Sequence, residues 1–439
     1  MGEPLDGIRA VEAAVGVAAP TAGVYLADMG AEVIKIEPPG GDATRSFRGV
    51  GNTLAADAPT PWLVAVNRGK KSLELDMGTA EGRRAGHRLL ATADIFLTNH
   101  REQGLAHMGL DYATLRSINP RLIYAVSSGF GPLGPDAGAA MLDVAVQARG
   151  GLCNMIGPAD DVPMVAGTVI GDAAAGMLFA LGIVTALAAR QRTGAGQRVD
   201  TSALGAQLFL QAPDIDFSSM TGNYLSRKGR FMPNIAGITG LYPTSDGRGL
   251  VLGRIPPADW PPFCDFAGLE ALLDHPVWGN AVIRAGVAGF DVDPTELRQL
   301  LGRSIGAHTL QDWRAFLETR PDIVYGVAQT YEEVLSDPQV VANGYVVEVD
   351  LPDVGPRRLV SNVVGLSDTP GTPKMDVAVN GQHTAEILGE LGYSDDEVVL
   401  LLGQLDAGYQ RLAQKYGYTE DELRSLEVPA SQTMEPPDQ

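Results

Sequence analysis

The chain has 439 residues and a formal charge of −20, from 33 Lys and Arg against 53 Asp and Glu. That length allows roughly two or three domains at about 100–200 residues each, and that charge argues against nucleic-acid backbones and anionic membrane surfaces as partners. Cys153 and Cys264 stand far apart with no CxxC or histidine partner at zinc spacing, so neither a disulfide scaffold nor a metal site is indicated, and a reducing cytoplasm fits.

In chain order, residues 8–12 read as a strand, 20–29 as a helix and 32–36 as the next strand. A strand follows the basic cluster at 67–72, then a helix over 81–92 and strands over 95–98 and 122–126. This alternation predicts an α/β fold with a parallel Rossmann-like sheet in a large domain, residues 1–212. In such sheets the ligand sits outside the carboxyl ends of the strands, which gathers residues 12–18, Asn99 and 127–131 near one edge. No GxGxxG and no Walker loop occurs, so a conventional dinucleotide or triphosphate site is not supported.

Residues 213–237, punctuated by Pro and Gly, read as an irregular linker. A smaller α+β domain is expected over 238–328: a hairpin around Ser245-Asp246-Gly247, helices at 259–267, 293–301 and 309–318, and a strand at 322–328. Residues 329–373 form a return linker of β and turn with a short helix at 331–335, and 374–428 a helical end of the large domain. Residues 391–398 and 416–423 echo one another, each with Ser or Thr followed three positions later by Glu, the capping-box pattern of a helix start. The acidic, Pro-rich tail at 429–439 is expected to be disordered.

Asp172 is the residue that most needs explaining. It stands in Val169-Ile170-Gly171-Asp172-Ala173, where an apolar, strand-like approach turns into the small and apolar run 173–189. That run falls short of about 20 residues and is bounded by Asp172 and Arg190, which makes it a core helix rather than a membrane span. A carboxylate there can cap the helix by accepting first-turn N–H groups, or serve as a positioned nucleophile, and the two are compatible. Asn67-Arg68-Gly69-Lys70-Lys71-Ser72 is either a solvated loop or a phosphate anchor. The histidines show no catalytic spacing, and GxSxG is absent.

The order of these pieces is more specific than any one of them. The chain resembles the class III CoA-transferases, a family that includes formyl-CoA transferase, carnitine CoA-transferase and α-methylacyl-CoA racemase. The resemblance is carried by residues 4–12, by Ala27-Asp28-Met29-Gly30-Ala31-Glu32-Val33-Ile34-Lys35-Ile36-Glu37, and by Pro39-Gly40-Gly41-Asp42. It continues through the 67–72 cluster, Asn99, Met108-Gly109-Leu110, Ser128-Gly129-Phe130-Gly131, Gly171-Asp172 and residues 192–197.

The resemblance implies that Asp172 is a nucleophile forming an aspartyl-CoA thioester. Coenzyme A and acyl-CoA then enter as substrates, with a carboxylic acid as acceptor and no permanently bound cofactor. It implies CoA contacts at Val17, Ala18, Lys70, Lys71, Leu75, Asn99 and Met108, an acyl site at Leu142 and Asp143, and two chains interlocked as a homodimer. Leu142 stands where racemases of the family carry a proton-transferring His and formyl-CoA transferases a Tyr, which points to transfer and to a more apolar acyl pocket. Pro38, Ala140 and His107 replace basic CoA contacts common in the family, leaving Arg45, Arg68 or Arg101 to meet the phosphates. A racemase or isomerase, and a non-catalytic subunit of a heteromeric transferase, are the alternatives.

Overall fold

The computed structural model describes residues 2–55, 58–235, 237–284, 292–405, 408 and 410. The second capping box at 416–423 and the tail at 429–439 lie outside the described residues. Six strands, β1 (Arg9–Ala13), β2 (Glu32–Glu37), β3 (Lys71–Glu74), β4 (Ile95–Thr98), β5 (Ile123–Ser128) and β6 (Arg198–Ser202), form one sheet in the order β3-β2-β1-β4-β5-β6. All of its pairings are parallel. Strand order reverses between β1 and β4, the switch point at which doubly wound sheets open a crevice.

Strands that alternate side chains across a sheet covered on both faces must be apolar on both. Val11, Ile34, Leu73, Phe96 and Tyr124 enter one core, closed by Leu89 and Leu90 of the Ala80–Ala91 helix and by Leu388. Ala10, Val33, Ile95, Leu97 and Ile123 enter the other, closed by Leu26 of the Ala18–Asp28 helix and by Phe179 and Ile183 of the Ile170–Thr193 helix. That last helix has 24 residues, longer than the apolar run in the sequence. β6 was not anticipated: its sequence, Arg-Val-Asp-Thr-Ser, is polar, because it closes one edge of the sheet and only β5 pairs with it.

The described chain divides into two compact units, one of residues 1–146, 169–210 and 337–439, the other of 147–168 and 211–336. Residues 147–168 thus group with the second unit, although the sequence reading kept them inside 1–212. The second unit has three antiparallel strands, β7 (Gly240–Pro243), β8 (Gly249–Arg254) and β9 (Val324–Val327). They share a core with Trp260, Phe263 and Trp313. The expected irregular linker at 213–237 opens instead with a helix, Ala212–Thr221. In the first unit, the stretch expected as return linker contains an antiparallel hairpin, β10 (Val346–Leu351) and β11 (Gly355–Val360). Ser394 caps the Asp395–Gly403 helix with Glu397 reciprocating, as the capping-box pattern predicts.

Candidate active site

The Ile170–Thr193 helix is pinned at its far end. Arg190 donates to the Asp94 carboxylate (2.8 Å) and to the backbone carbonyls of Asp94 and Arg121, residues that precede β4 and β5. Because the helix runs back along the parallel strands, its start emerges at their carboxyl edge. Gly176 makes this possible by close approach: a Cβ there would lie 2.7 Å from the Ala18 carbonyl oxygen and 2.7 Å from the Thr21 Cβ. Ala18, Ala174, Ala175, Val146 and Ala203 pack as one small-residue cluster beneath the site, with Phe130 and Met141 against it.

Asp172 is not the helix cap that the sequence suggested. The helix begins at Ile170, so the Val169-Ile170-Gly171 approach is not strand-like. Val169 holds the cap position without a side-chain hydrogen bond, and Asp172 is the third helical residue. The capping carboxylate comes from elsewhere in the chain: Asp143 Oδ1 accepts the Asp172 backbone N–H at 2.9 Å. Gly171 admits it, since a Cβ at that position would stand 3.0 Å from the same Asp143 oxygen.

The Asp172 side chain is therefore left to itself. Its Oδ1 is buried with no hydrogen-bond partner among the described residues. Burial first, and the neighbouring Asp143 carboxylate second, push its ionisation up to about 6. A carboxylate of that kind is ionised at neutral pH, more basic than a surface aspartate, and poorly solvated, which are the properties of a carboxylate nucleophile.

Of the other expected residues, the structure gathers Val17, Ala18 and Asn99 at the crevice. Val17 precedes the Ala18–Asp28 helix, and Asn99, just past β4, clasps the loop after β1 through both polar atoms: Oδ1 accepts the Val15 N–H (3.0 Å) and Nδ2 donates to the Val15 carbonyl (2.6 Å). Asp143 is buried, while Leu142 beside it is 74% exposed. Leu75 is inside the core, where Met108 packs against its cluster.

Lys70 is not a phosphate anchor. Its ammonium is buried and meets four acceptors, Glu12 Oε2 (2.7 Å), the carbonyls of Pro20 and Val66, and Asn67 Oδ1, which saturates its three donors. Lys71 bridges Glu32 (2.9 Å) and Glu386 (2.8 Å) at the surface. Two of the three candidate phosphate ligands are likewise engaged, Arg45 with Glu37 and the Ala378 carbonyl, and Arg68 with Asp28. Arg101 and His107 are exposed.

Sequence reasoning missed the ion cluster beside this crevice. Lys35 on β2 stands in register with Glu12 on β1 and binds Glu12 Oε1 and Asp42 Oδ2, each at 2.8 Å. Burial opposes the Lys35 charge, but the carboxylates of Glu12, Asp42 and Glu37 outweigh it and hold the ammonium above its usual range. Burial, with Lys35 nearby, pushes Lys70 down to about 8 although Glu12 opposes the shift. An acid and a base at matched positions of adjacent apolar strands were the available signal.

The chain matches the model of CoA-transferase family III over residues 5–384. It is 35% identical over 392 residues to the succinate–glutarate CoA-transferase of Agrobacterium fabrum, covering 88% of this chain and 96% of that one. It is 34% identical over 407 residues to the succinyl-CoA–D-citramalate CoA-transferase of Chloroflexus aurantiacus, covering 91% and 96%. Among solved structures, a CAIB/BAIF family protein from Brucella suis shares the fold with a TM-score of 0.76 at 30% identity, covering 89% of this chain and 100% of the other. This chain belongs to CoA-transferase family III. It is a CoA-transferase, and CoA thioesters are its substrates.

Proposed function

We propose that the enzyme passes CoA from an acyl-CoA donor to a carboxylate acceptor through a thioester on Asp172. The observation that carries this reading is the Asp172 carboxylate, with one oxygen buried and unpartnered among the described residues. A structural carboxylate at that depth is normally paired, whereas one without a partner keeps its lone pairs for chemistry.

In the first step an Asp172 oxygen attacks the thioester carbonyl, the C–S bond breaks, and a mixed anhydride and CoA thiolate result. The thiolate then attacks the aspartyl carbonyl carbon, the C–O bond breaks, and the donor leaves as a carboxylate. An acceptor carboxylate attacks this aspartyl-CoA thioester and expels the thiolate, which adds to the acceptor's acyl carbon and restores Asp172. Each step exchanges acyl bonds of similar energy, so the residues supply position and electrostatics. Leu142 supports transfer over racemisation, since it cannot return an α-proton.

Val17, Ala18 and Asn99 line the crevice across which CoA enters, with Arg101 as an exposed cation beside Asn99 for its phosphates. The names of the similar enzymes favour short dicarboxylates and their CoA thioesters as substrates. We read the active form as a cytoplasmic, interlocked homodimer. Met177 (62% exposed), Leu181 (61%) and Phe209 (69%) offer apolar surface for it, and light scattering tests it.

Incubation with succinyl-CoA followed by hydroxylamine or borohydride should modify Asp172, as read by peptide mass spectrometry. Asp172→Ala is expected to lower transfer by at least about a thousandfold, roughly 4 kcal/mol of barrier. A variant that transfers CoA at the original rate overturns the reading.

A further inference from the structure

The second unit contains an open cleft of about 580 Å³ lined by four cations, Lys228, Arg230, Arg298 and Arg303. No acidic side chain is among its described lining residues. In a chain with 53 acidic residues against 33 basic ones, that local balance is reversed.

The cleft is also held in shape. Gly229 N–H donates to the Gly157 carbonyl (3.1 Å), Arg227 to the Pro158 carbonyl (2.7 Å) and Leu241 N–H to the Arg230 carbonyl (2.9 Å), which fastens one wall to another. Arg298 is half-buried and fixed: it donates to the carbonyls of Gly237 and Ile235, each at 2.9 Å, and lies 4.3 Å over the Phe231 ring. Lys228, Arg230 and Arg303 are exposed and form no ion pair among the described residues. Hydrogen bonds from Thr295 first, and the charges of Arg298 and Lys228 more weakly, hold the Asp293 carboxyl below its usual range, so this acid feels two of these cations. Scattered surface arginines are normally solvated. Four bases converging on a concave, partly apolar surface, one of them rigid, create a positive focus that solvent alone does not require.

We propose that this cleft is a binding site for a small polyanion, a molecule carrying two or more carboxylate or phosphate groups. Arg298 orients one anionic group, and Lys228, Arg230 and Arg303 neutralise the others. The volume falls within the range of about 300–1,000 Å³ common to small-molecule sites. The inference does not depend on the role of Asp172, which is not among the lining residues.

Calorimetric titration of the full-length protein with citrate, inorganic pyrophosphate and acetate tests it. Citrate, pyrophosphate or both should bind at one site per chain, at least about tenfold more tightly than acetate, and which of them does so distinguishes a carboxylate from a phosphate ligand. Arg230→Ala with Arg303→Ala should weaken that binding by about tenfold or more at an unchanged melting temperature, while Asp172→Ala leaves it unaltered. If the double variant does not fold, Arg303→Gln alone should weaken binding about threefold or more. Polyanions that bind no more tightly than acetate, or variants in the cleft that bind them as tightly as the parent, overturn the proposal.

Discussion

Glu12, Glu37 and Asp42 are buried near the carboxyl ends of β1 and β2, and Asp143 and Asp172 lie at the same edge of the sheet, at the start of the Ile170–Thr193 helix. The first group is matched by Lys35, Lys70 and Arg45. Burial would raise Glu37 and Asp42, but Arg45 and Lys35 respectively reverse the shift and hold both carboxylates below their usual range. At Asp172 the neighbouring charge is another carboxylate, that of Asp143, and there burial and that charge together move ionisation up. Burial is common to Glu37, Asp42 and Asp172, so the sign of the neighbouring charge decides which way each ionisation moves.

The largest expected effect follows from Glu12. Glu12→Gln leaves Lys35 and Lys70 short of a shared counter-charge, and urea unfolding should show a loss of about 3–5 kcal/mol. A loss below about 1 kcal/mol would mean that the cluster is not what holds the edge together.

Asp172→Asn should act in the opposite direction. The folded-state ionisation lies near 6 and the ordinary value at 3.8, so the folded protein binds the proton more tightly than the unfolded chain. Stability from that proton is complete below about pH 4 and lost as pH rises through 6. The D172N protein should therefore be more stable than the parent above pH 6, by about 1–3 kcal/mol, with the difference closing towards pH 4. A less stable D172N protein at pH 7.5 would place Asp172 with the structural carboxylates.

Asp143→Asn keeps an oxygen that can accept the Asp172 N–H but removes the repulsive charge. The acid limb of kcat/KM should move to lower pH, by the smaller part of the shift, because burial remains. The smallest effect belongs to Lys71→Ala, whose surface pairs with Glu32 and Glu386 should contribute under about 1 kcal/mol to thermal stability.

What could be read from the sequence follows the range of the interactions. β4 is a short apolar strand, and its bounds agree with the sequence reading. The hairpin of β7 and β8 turns at Ser245-Asp246-Gly247, and Ser394 caps its helix, because each depends on neighbours in the chain. Lys70 reads as a loop cation or a phosphate ligand because its main partner, Glu12, is 58 residues away. The position of Asp172 in its helix was misjudged for a similar reason: the group that caps the first turn is Asp143, which no local pattern names. β6 is hidden because an edge strand needs few apolar residues.

Arg190 and Asp172 are separated by about five helical turns, roughly 27 Å, and so share one face of the rod between them. Anchored below the sheet at one end and projecting from its far edge at the other, that rod works as a gauge: its residue count sets both the height and the heading of the carboxylate. One residue inserted or deleted along it would swing Asp172 by about 100° and shift it by about 1.5 Å. Loops away from that edge can lengthen or shorten without moving the carboxylate, whereas the stretch from Asp172 to Arg190 is fixed in length.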